Sequence, residues 1–168
     1  MMEDKKIEPA VIKRLANEKA NLENSSFQFF SVSPDEKDIF TWTGILFGPE
    51  KSCYEGGVFN IKLEIPFDYP MKPPKCLFLT KIFHPNIFPD TGYICLNILK
   101  PENWNPTLDL EKVLISIHSL LADPNFNHRV IDAKTGKEIY HDVTAIGQTD
   151  ESRFKSIARE WVRRYAQL

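Results

Sequence analysis

The run Val58–Ile65 alternates without interruption, with Phe59, Ile61, Leu63 and Ile65 on one side and Asn60, Lys62 and Glu64 on the other. That period suits a strand buried on one face, because successive side chains of a strand point to opposite faces. Two more strand candidates precede it, Ser26–Val32 and the aromatic and branched run Ile39–Phe47. Gly48-Pro49 and Gly56-Gly57 punctuate these runs, which favours hairpins and hence an antiparallel meander. Cys76–Leu79 is a short fourth candidate.

Helical spacing flanks the strands. From about Glu8 to Glu23, Val11, Leu15 and Leu22 share one face, and Pro9 suits a first helical turn. Asp109 can cap a helix carrying Leu110, Val113, Leu114, Ile117, Leu120 and Leu121. Phe154, Ile157, Ala158, Trp161, Val162 and Tyr165 repeat the pattern behind Thr149-Asp150-Glu151, which sets acceptors and negative charge at the start. A short helix is expected around Tyr140–Ile146. The order helix, meander, irregular segment, helices reads as α+β. With 168 residues, 42% of them hydrophobic, the chain fits one domain over 1–168 with a full core, and it shows no repeat or linker.

The irregular parts carry the chemistry. Tyr69-Pro70-Met71-Lys72-Pro73-Pro74 must be a rigid loop, since proline removes donors and restricts its predecessor. From His84 to Pro106 no period is sustained, and a stretch so long in a compact domain is usually functional. Cys95 lies in it, behind a Pro- and Gly-broken loop, with the amide of Asn86 a short way upstream. Thiolate is a strong nucleophile near neutral pH, and an amide can steady the loop or an oxyanion formed when a thioester is attacked. Cys53 and Cys76 fall beside or within strands and are expected to be buried and structural. Three cysteines without CxxC or metal-like spacing argue against a disulfide framework and for a reducing compartment.

Net charge of −2 and a pI near 6.1 give no global case for nucleic acid. The clusters Lys5, Lys6, Lys13, Arg14, Lys19 and Arg159, Arg163, Arg164 read as solvated helix faces. The opening Met-Met-Glu-Asp-Lys-Lys has no apolar signal region and no run reaches membrane-spanning length, so a soluble intracellular protein without a membrane span is expected.

Five motifs occur together: Tyr69-Pro70-Met71-Lys72-Pro73-Pro74-Lys75, His84-Pro85-Asn86, Gly92-Tyr93-Ile94-Cys95-Leu96, Trp104-Asn105-Pro106 and Asp123-Pro124-Asn125. In this order and approximate spacing the chain resembles the ubiquitin-conjugating enzymes, from about Val11 to Ala166. The resemblance implies an N-terminal helix, a four-stranded antiparallel meander sheet, an active-site segment and C-terminal helices. It implies that Cys95 accepts the C-terminal glycine of ubiquitin, or of a ubiquitin-like protein, from an activating enzyme, and passes it to a substrate lysine or a ligase cysteine. It implies that Asn86 stabilises the oxyanion or holds the loop, and that His84 and Pro85 brace the site. Lys13 and Arg14 match positions that meet the activating enzyme and ligases; Met71, Pro106 and Thr107 match ligase-facing loops. Lys112, Ile115 and Ser119 match the face that docks the thioester-linked ubiquitin, and they fall off the core stripe of their helix. Ser31 matches a sheet face that binds a second ubiquitin. No cofactor is implied beyond the ATP used by the activating enzyme; the partners are ubiquitin, that enzyme, a RING or HECT ligase and the substrate protein.

The chain also departs from the family pattern. Asn97 stands where many members carry an acid, His128 where Asp or Ser is common, and residues are inserted around Asp132-Ala133-Lys134-Thr135-Gly136-Lys137. A substrate lysine is overwhelmingly protonated at neutral pH, so desolvation and oriented acceptors must lower its effective pKa. Neutral His128 is the candidate acceptor. Cys95-Leu96-Asn97-Ile98-Leu99-Lys100-Pro101-Glu102 resembles the peroxisomal branch, which raises peroxisomal association beside a cytoplasmic or nuclear place, and Leu-Asn-Ile-Leu also occurs in the branch that conjugates NEDD8. The long basic N-terminal tail of that branch is missing, so ubiquitin is the expected cargo and NEDD8 the alternative. Two readings from other classes are a non-catalytic ubiquitin-binding scaffold, which would lack the cysteine, and a Cys–His hydrolase, which would need a histidine held against the thiol.

Overall fold

The computed structural model describes residues 6–127, 130–131, 135, 138–139 and 142–168. Helix α1 spans Pro9–Glu23 and buries Val11, Leu15, Glu18 and Leu22, so its inner stripe carries a carboxylate among apolar side chains. Strands β1 (Phe30–Pro34), β2 (Thr41–Phe47), β3 (Val58–Glu64) and β4 (Lys75–Phe78) form one antiparallel sheet in the order β1-β2-β3-β4. This is the meander expected from the alternation. Its register aligns Trp42 with Leu63 and Leu63 with Cys76, and Leu46 with Phe59. These inward residues meet Val113, Leu114, Ile117 and Leu121 of α2 (Leu110–Ala122) and Phe154, Ala158 and Val162 of α4 (Glu151–Tyr165) in one core.

Strand β1 starts four residues later than the apolar content around Ser26 suggests. The Ser25 hydroxyl accepts from the Phe27 N–H, turning the chain there, and Phe27 is left exposed. Pro34 closes β1 without loss because β1 is an edge strand. The opposite edge, β4, is covered by the irregular segment: Phe78 N–H donates to the Gly92 carbonyl at 2.7 Å and Ile94 N–H to that of Cys76 at 3.2 Å.

Both helix caps read from the sequence are present. The Asp109 side chain accepts from Lys112 N–H, and that of Asp150 from Arg153 N–H. Helix α3 runs over Asp142–Thr149, shifted toward the C-terminus of the Tyr140–Ile146 expectation. Two-residue strands β5 (Val130–Ile131) and β6 (Glu138–Ile139) pair across the inserted residues, a ribbon that no sequence period foretold. None of the described helices is long and apolar enough to cross a membrane.

Candidate active site

The segment from His84 to Cys95 folds back on itself. Phe88 N–H donates to the Tyr93 carbonyl and Gly92 N–H to that of Phe88, with a single bridge between Ile87 and Ile94. Gly92 holds φ +78°, and a Cβ there would lie 2.0 Å from the Phe78 carbonyl oxygen, so the turn needs glycine for conformation and for space. The fold-back sets Cys95 beside Asn86: Cys95 N–H donates to the Asn86 carbonyl at 2.7 Å.

His84, fully buried, fastens this segment to α2. Its Nδ1 accepts from Asn86 N–H at 3.0 Å, which leaves the proton on Nε2, and Nε2 donates to the Leu120 carbonyl at 3.0 Å. That carbonyl is among the last four of α2, which have no partner within the helix. The ring is thus a neutral brace with both nitrogens engaged. Asn86, only 2% exposed, forms a two-point clamp. Its Nδ2 donates to the Asn125 carbonyl and its Oδ1 accepts from Asn125 N–H, both at 2.9 Å. The Asp123-Pro124-Asn125 motif, which sequence reasoning noted without assigning a role, supplies the backbone for this clamp.

Cys53, Cys76 and Cys95 all stand as thiols. Cys76 is sealed in the core, where burial pushes its pKa far up. Cys95 is half-buried; burial pushes it above its ordinary value, and Lys100 draws it down more weakly. The resting group is therefore mainly the protonated thiol at neutral pH. Beyond it, Leu96 is buried and Asn97–Leu99 form one 3-10 turn. Asn103 Nδ2 donates to both the carbonyl and the Oδ1 of Asn97, at 3.2 and 3.1 Å, which fixes this exit. Trp104 then ties the chain to the proline loop by donating from Nε1 to the Pro70 carbonyl at 2.7 Å.

A second network joins α1 to these loops. Glu18 accepts from Arg14 Nε at 2.9 Å and the Tyr69 hydroxyl at 2.5 Å on one oxygen, and from Leu110 N–H at 2.6 Å on the other. It therefore caps the start of α2 with negative charge. Arg14 reaches on to the carbonyls of Leu108, at 2.9 Å, and Pro106, at 3.3 Å. Tyr69 titrates far above the ordinary range, from burial first and the Glu18 hydrogen bond second.

A thiol on a braced, irregular segment at the edge of a four-stranded meander sheet can be compared with known proteins. The ubiquitin-conjugating enzyme profile matches residues 14–162. The chain belongs to the ubiquitin-conjugating enzyme family. A solved structure of a ubiquitin-conjugating enzyme E2 domain from Toxoplasma gondii superposes with a TM-score of 0.80 at 36% identity, covering 94% of this chain and 99% of that one.

Within this conjugating-enzyme domain, Lys13, Met71 (69% exposed), Thr107, Lys112, Ser119 and Ser31 are exposed, while Pro106 and Ile115 are half-buried. Arg14 differs from its neighbour Lys13 in being half-buried, its guanidinium lying across the Pro106–Leu108 loop as a latch. Cys53, expected to be buried, is instead half-buried at the wall of a cleft. His128 lies outside the described residues. Sequence reasoning missed Glu18 and named Asn125 only within a motif, without a role. The available signal for Glu18 was a carboxylate on the apolar stripe of α1, between Leu15 and Leu22.

Proposed function

We propose that this chain carries ubiquitin as a thioester on Cys95. The cysteine sulfur attacks the thioester carbonyl that joins the C-terminal glycine of ubiquitin to the activating enzyme. The new carbon–sulfur bond forms, the old one breaks, and the activating-enzyme thiol leaves with the proton. An amine, from a substrate lysine brought by a ligase, then attacks the same carbon. The amine nitrogen gives up one proton to an acceptor or to solvent, the amide forms, the carbon–sulfur bond breaks and Cys95 leaves as thiolate. ATP is consumed by the activating enzyme alone.

The observation that supports this reading most is the pinning of half-buried Cys95 to Asn86, whose own amide is clamped to Asn125. A nucleophile held this way keeps its carbonyl target in one orientation, which lowers the entropic part of the barrier. One Nδ2 hydrogen of Asn86 serves the clamp; the second is the donor we assign to the oxyanion. His128 is the proposed acceptor for the incoming amine. Exposed Lys13, Met71 and Thr107 form the proposed face for the activating enzyme and ligase, with Lys112, Ile115 and Ser119 facing the bound ubiquitin.

The hydrolase alternative finds little support among the described histidines: both ring nitrogens of His84 are bonded elsewhere, and His118 stacks on Phe29 with ring centroids 3.9 Å apart. The test is to incubate the protein with ATP and ubiquitin, and separately with NEDD8, each with its activating enzyme. A reductant-labile adduct with ubiquitin is expected, turned into a reductant-resistant ester or lost in Cys95→Ser. An adduct with NEDD8 alone reassigns the cargo. No adduct with either, or one untouched by Cys95→Ser, overturns the reading.

A further inference from the structure

The basic residues near the end of the chain, which the sequence presents as an ordinary solvated face, converge in the fold with a lysine from another element. Lys51 lies in the turn between β2 and β3, and Arg159 and Arg163 lie on α4; together they line a cleft of about 420 Å³ walled by Cys53 and Gln167. A cavity of this size matches small-molecule sites in general. A neighbouring cavity of about 400 Å³ shares Lys51, Ser52, Cys53 and Arg159 with it and adds Asp123, Glu151 and Lys155, the last two paired at 2.8 Å. No lining residue of either cavity lies in the 84–106 segment.

The charge balance of the first cleft is cationic. Glu55 is its one lining carboxylate, and Glu55 Oε2 accepts from the Lys51 N–H at 3.2 Å. Arg163 is paired with Glu160 at 2.7 Å, but Lys51 and Arg159 have no ion pair among the described residues. Lys51 also holds φ +62°, a left-handed backbone that a non-glycine residue adopts at a cost. Two unpaired cations and a third, half-neutralised one, held around one cavity by two elements, repel each other unless an anion joins them. Arginine in such a place presents forked donors suited to oxyanions.

We propose that this cleft binds a small polyanion, a free molecule with two or more phosphate groups, held between Lys51 and Arg159. The proposal goes beyond the thioester reading and does not depend on it.

Cys53 supplies a reporter inside the cleft. Its thiol is raised by burial; the Tyr54 side chain and the local backbone draw it down by hydrogen bonding, and the charges of Arg159 and Lys155, which line the same cavities, do so more weakly. A bound polyanion both covers the thiol and cancels that pull, and each effect slows alkylation. The experiment uses the full chain carrying Cys95→Ser. Cys76 is sealed in the core, so iodoacetamide reports Cys53, followed by intact mass.

Tripolyphosphate at millimolar concentration is expected to slow the reaction at least about fivefold, while spermine and potassium chloride of matched ionic strength leave it unchanged. Arg159→Ala and Lys51→Gln, both at exposed positions, should each raise the half-protecting concentration roughly tenfold. With Cys95 restored, Arg159→Ala should charge with ubiquitin as the parent does. Protection matched by potassium chloride overturns the proposal. So does protection that persists unchanged in both variants, or none at all with tripolyphosphate. A doubly phosphorylated peptide that protects where tripolyphosphate fails would also overturn it, by making the occupant a protein.

Discussion

Replacing Glu18 by alanine tests whether one buried carboxylate holds α1, α2 and the proline loop in register. Glu18 is 3% exposed and accepts three hydrogen bonds, from Arg14, Tyr69 and Leu110. In Glu18→Ala, Arg14 keeps the Leu108 and Pro106 carbonyls, so its charge is not stranded. The Tyr69 hydroxyl and the Leu110 N–H belong to residues with no exposed surface and lose their acceptor. Two orphaned buried donors at ~1–3 kcal/mol each put the loss at about 2–6 kcal/mol, a large part of a typical domain's stability. Glu18→Gln keeps the acceptor for Leu110 N–H, and its amide can donate to the Tyr69 oxygen, but the Arg14 bond is lost and the Tyr69 hydroxyl hydrogen has no acceptor there, so the loss should be about 1–3 kcal/mol, below that of alanine. Urea unfolding of the alanine and glutamine variants measures both, and a cycle with Tyr69→Phe isolates the shared bond as a coupling of about 1–3 kcal/mol. An alanine variant within about 0.5 kcal/mol of the parent, or strict additivity with Tyr69→Phe, refutes the reasoning.

Asn86→Ala removes both bonds to the Asn125 backbone; because Asn125 is exposed and can take water instead, the stability loss should be only about 1–2 kcal/mol by urea unfolding. Single-turnover discharge of the thioester should fall far more than charging does, and equal losses in both steps would contradict the oxyanion role. Since burial raises the Cys95 pKa, its alkylation rate, isolated by difference from Cys95→Ser, should climb about tenfold per pH unit through neutrality without levelling below pH ~8.5. Lys100→Ala removes a downward pull and should slow alkylation at any fixed pH in that range; a faster reaction would show the attribution to be wrong. Burial lowers the His118 pKa, so the unfolded chain binds the proton more readily, and stability complete above pH 6.5 should decline as pH falls from there through the lower folded value. His118→Phe, which keeps a ring against Phe29, should show a shallower loss of urea midpoint between pH ~7.5 and ~5.5, and identical slopes would exclude His118 as a source.

Where the sequence was readable, the information was local. The alternation of Phe59, Ile61 and Leu63 located β3, and the spacing of Val113, Leu114, Ile117 and Leu121 placed α2 behind its Asp109 cap. Cys95 stood out because a thiol at the end of a turn-rich stretch belongs to no periodic core face. Where reading fell short, the cause was also specific. A strand is the sequence expectation from Ser26, but Ser25 turns the chain and Phe29 stacks its ring on His118. The β5–β6 ribbon is too short to carry a period.

The sequence by itself determined the order of the main helices and strands, the one-sided sheet and the placement of the thiol on a segment that sustains neither a helical nor a strand period. These rest on side-chain periodicity and on the backbone limits of proline and glycine, which act over a few residues. Only the tertiary structure decided that Arg14 latches a loop, that His84 is a neutral brace, that Asn86 grips Asn125 and that Lys51 joins Arg159 around a cleft. Each of those roles depends on a partner distant in the chain; Glu18 and Leu110, for one, lie 92 residues apart. A polar side chain makes whichever bond the packed chain brings within about 3 Å of it, and no local pattern encodes that approach.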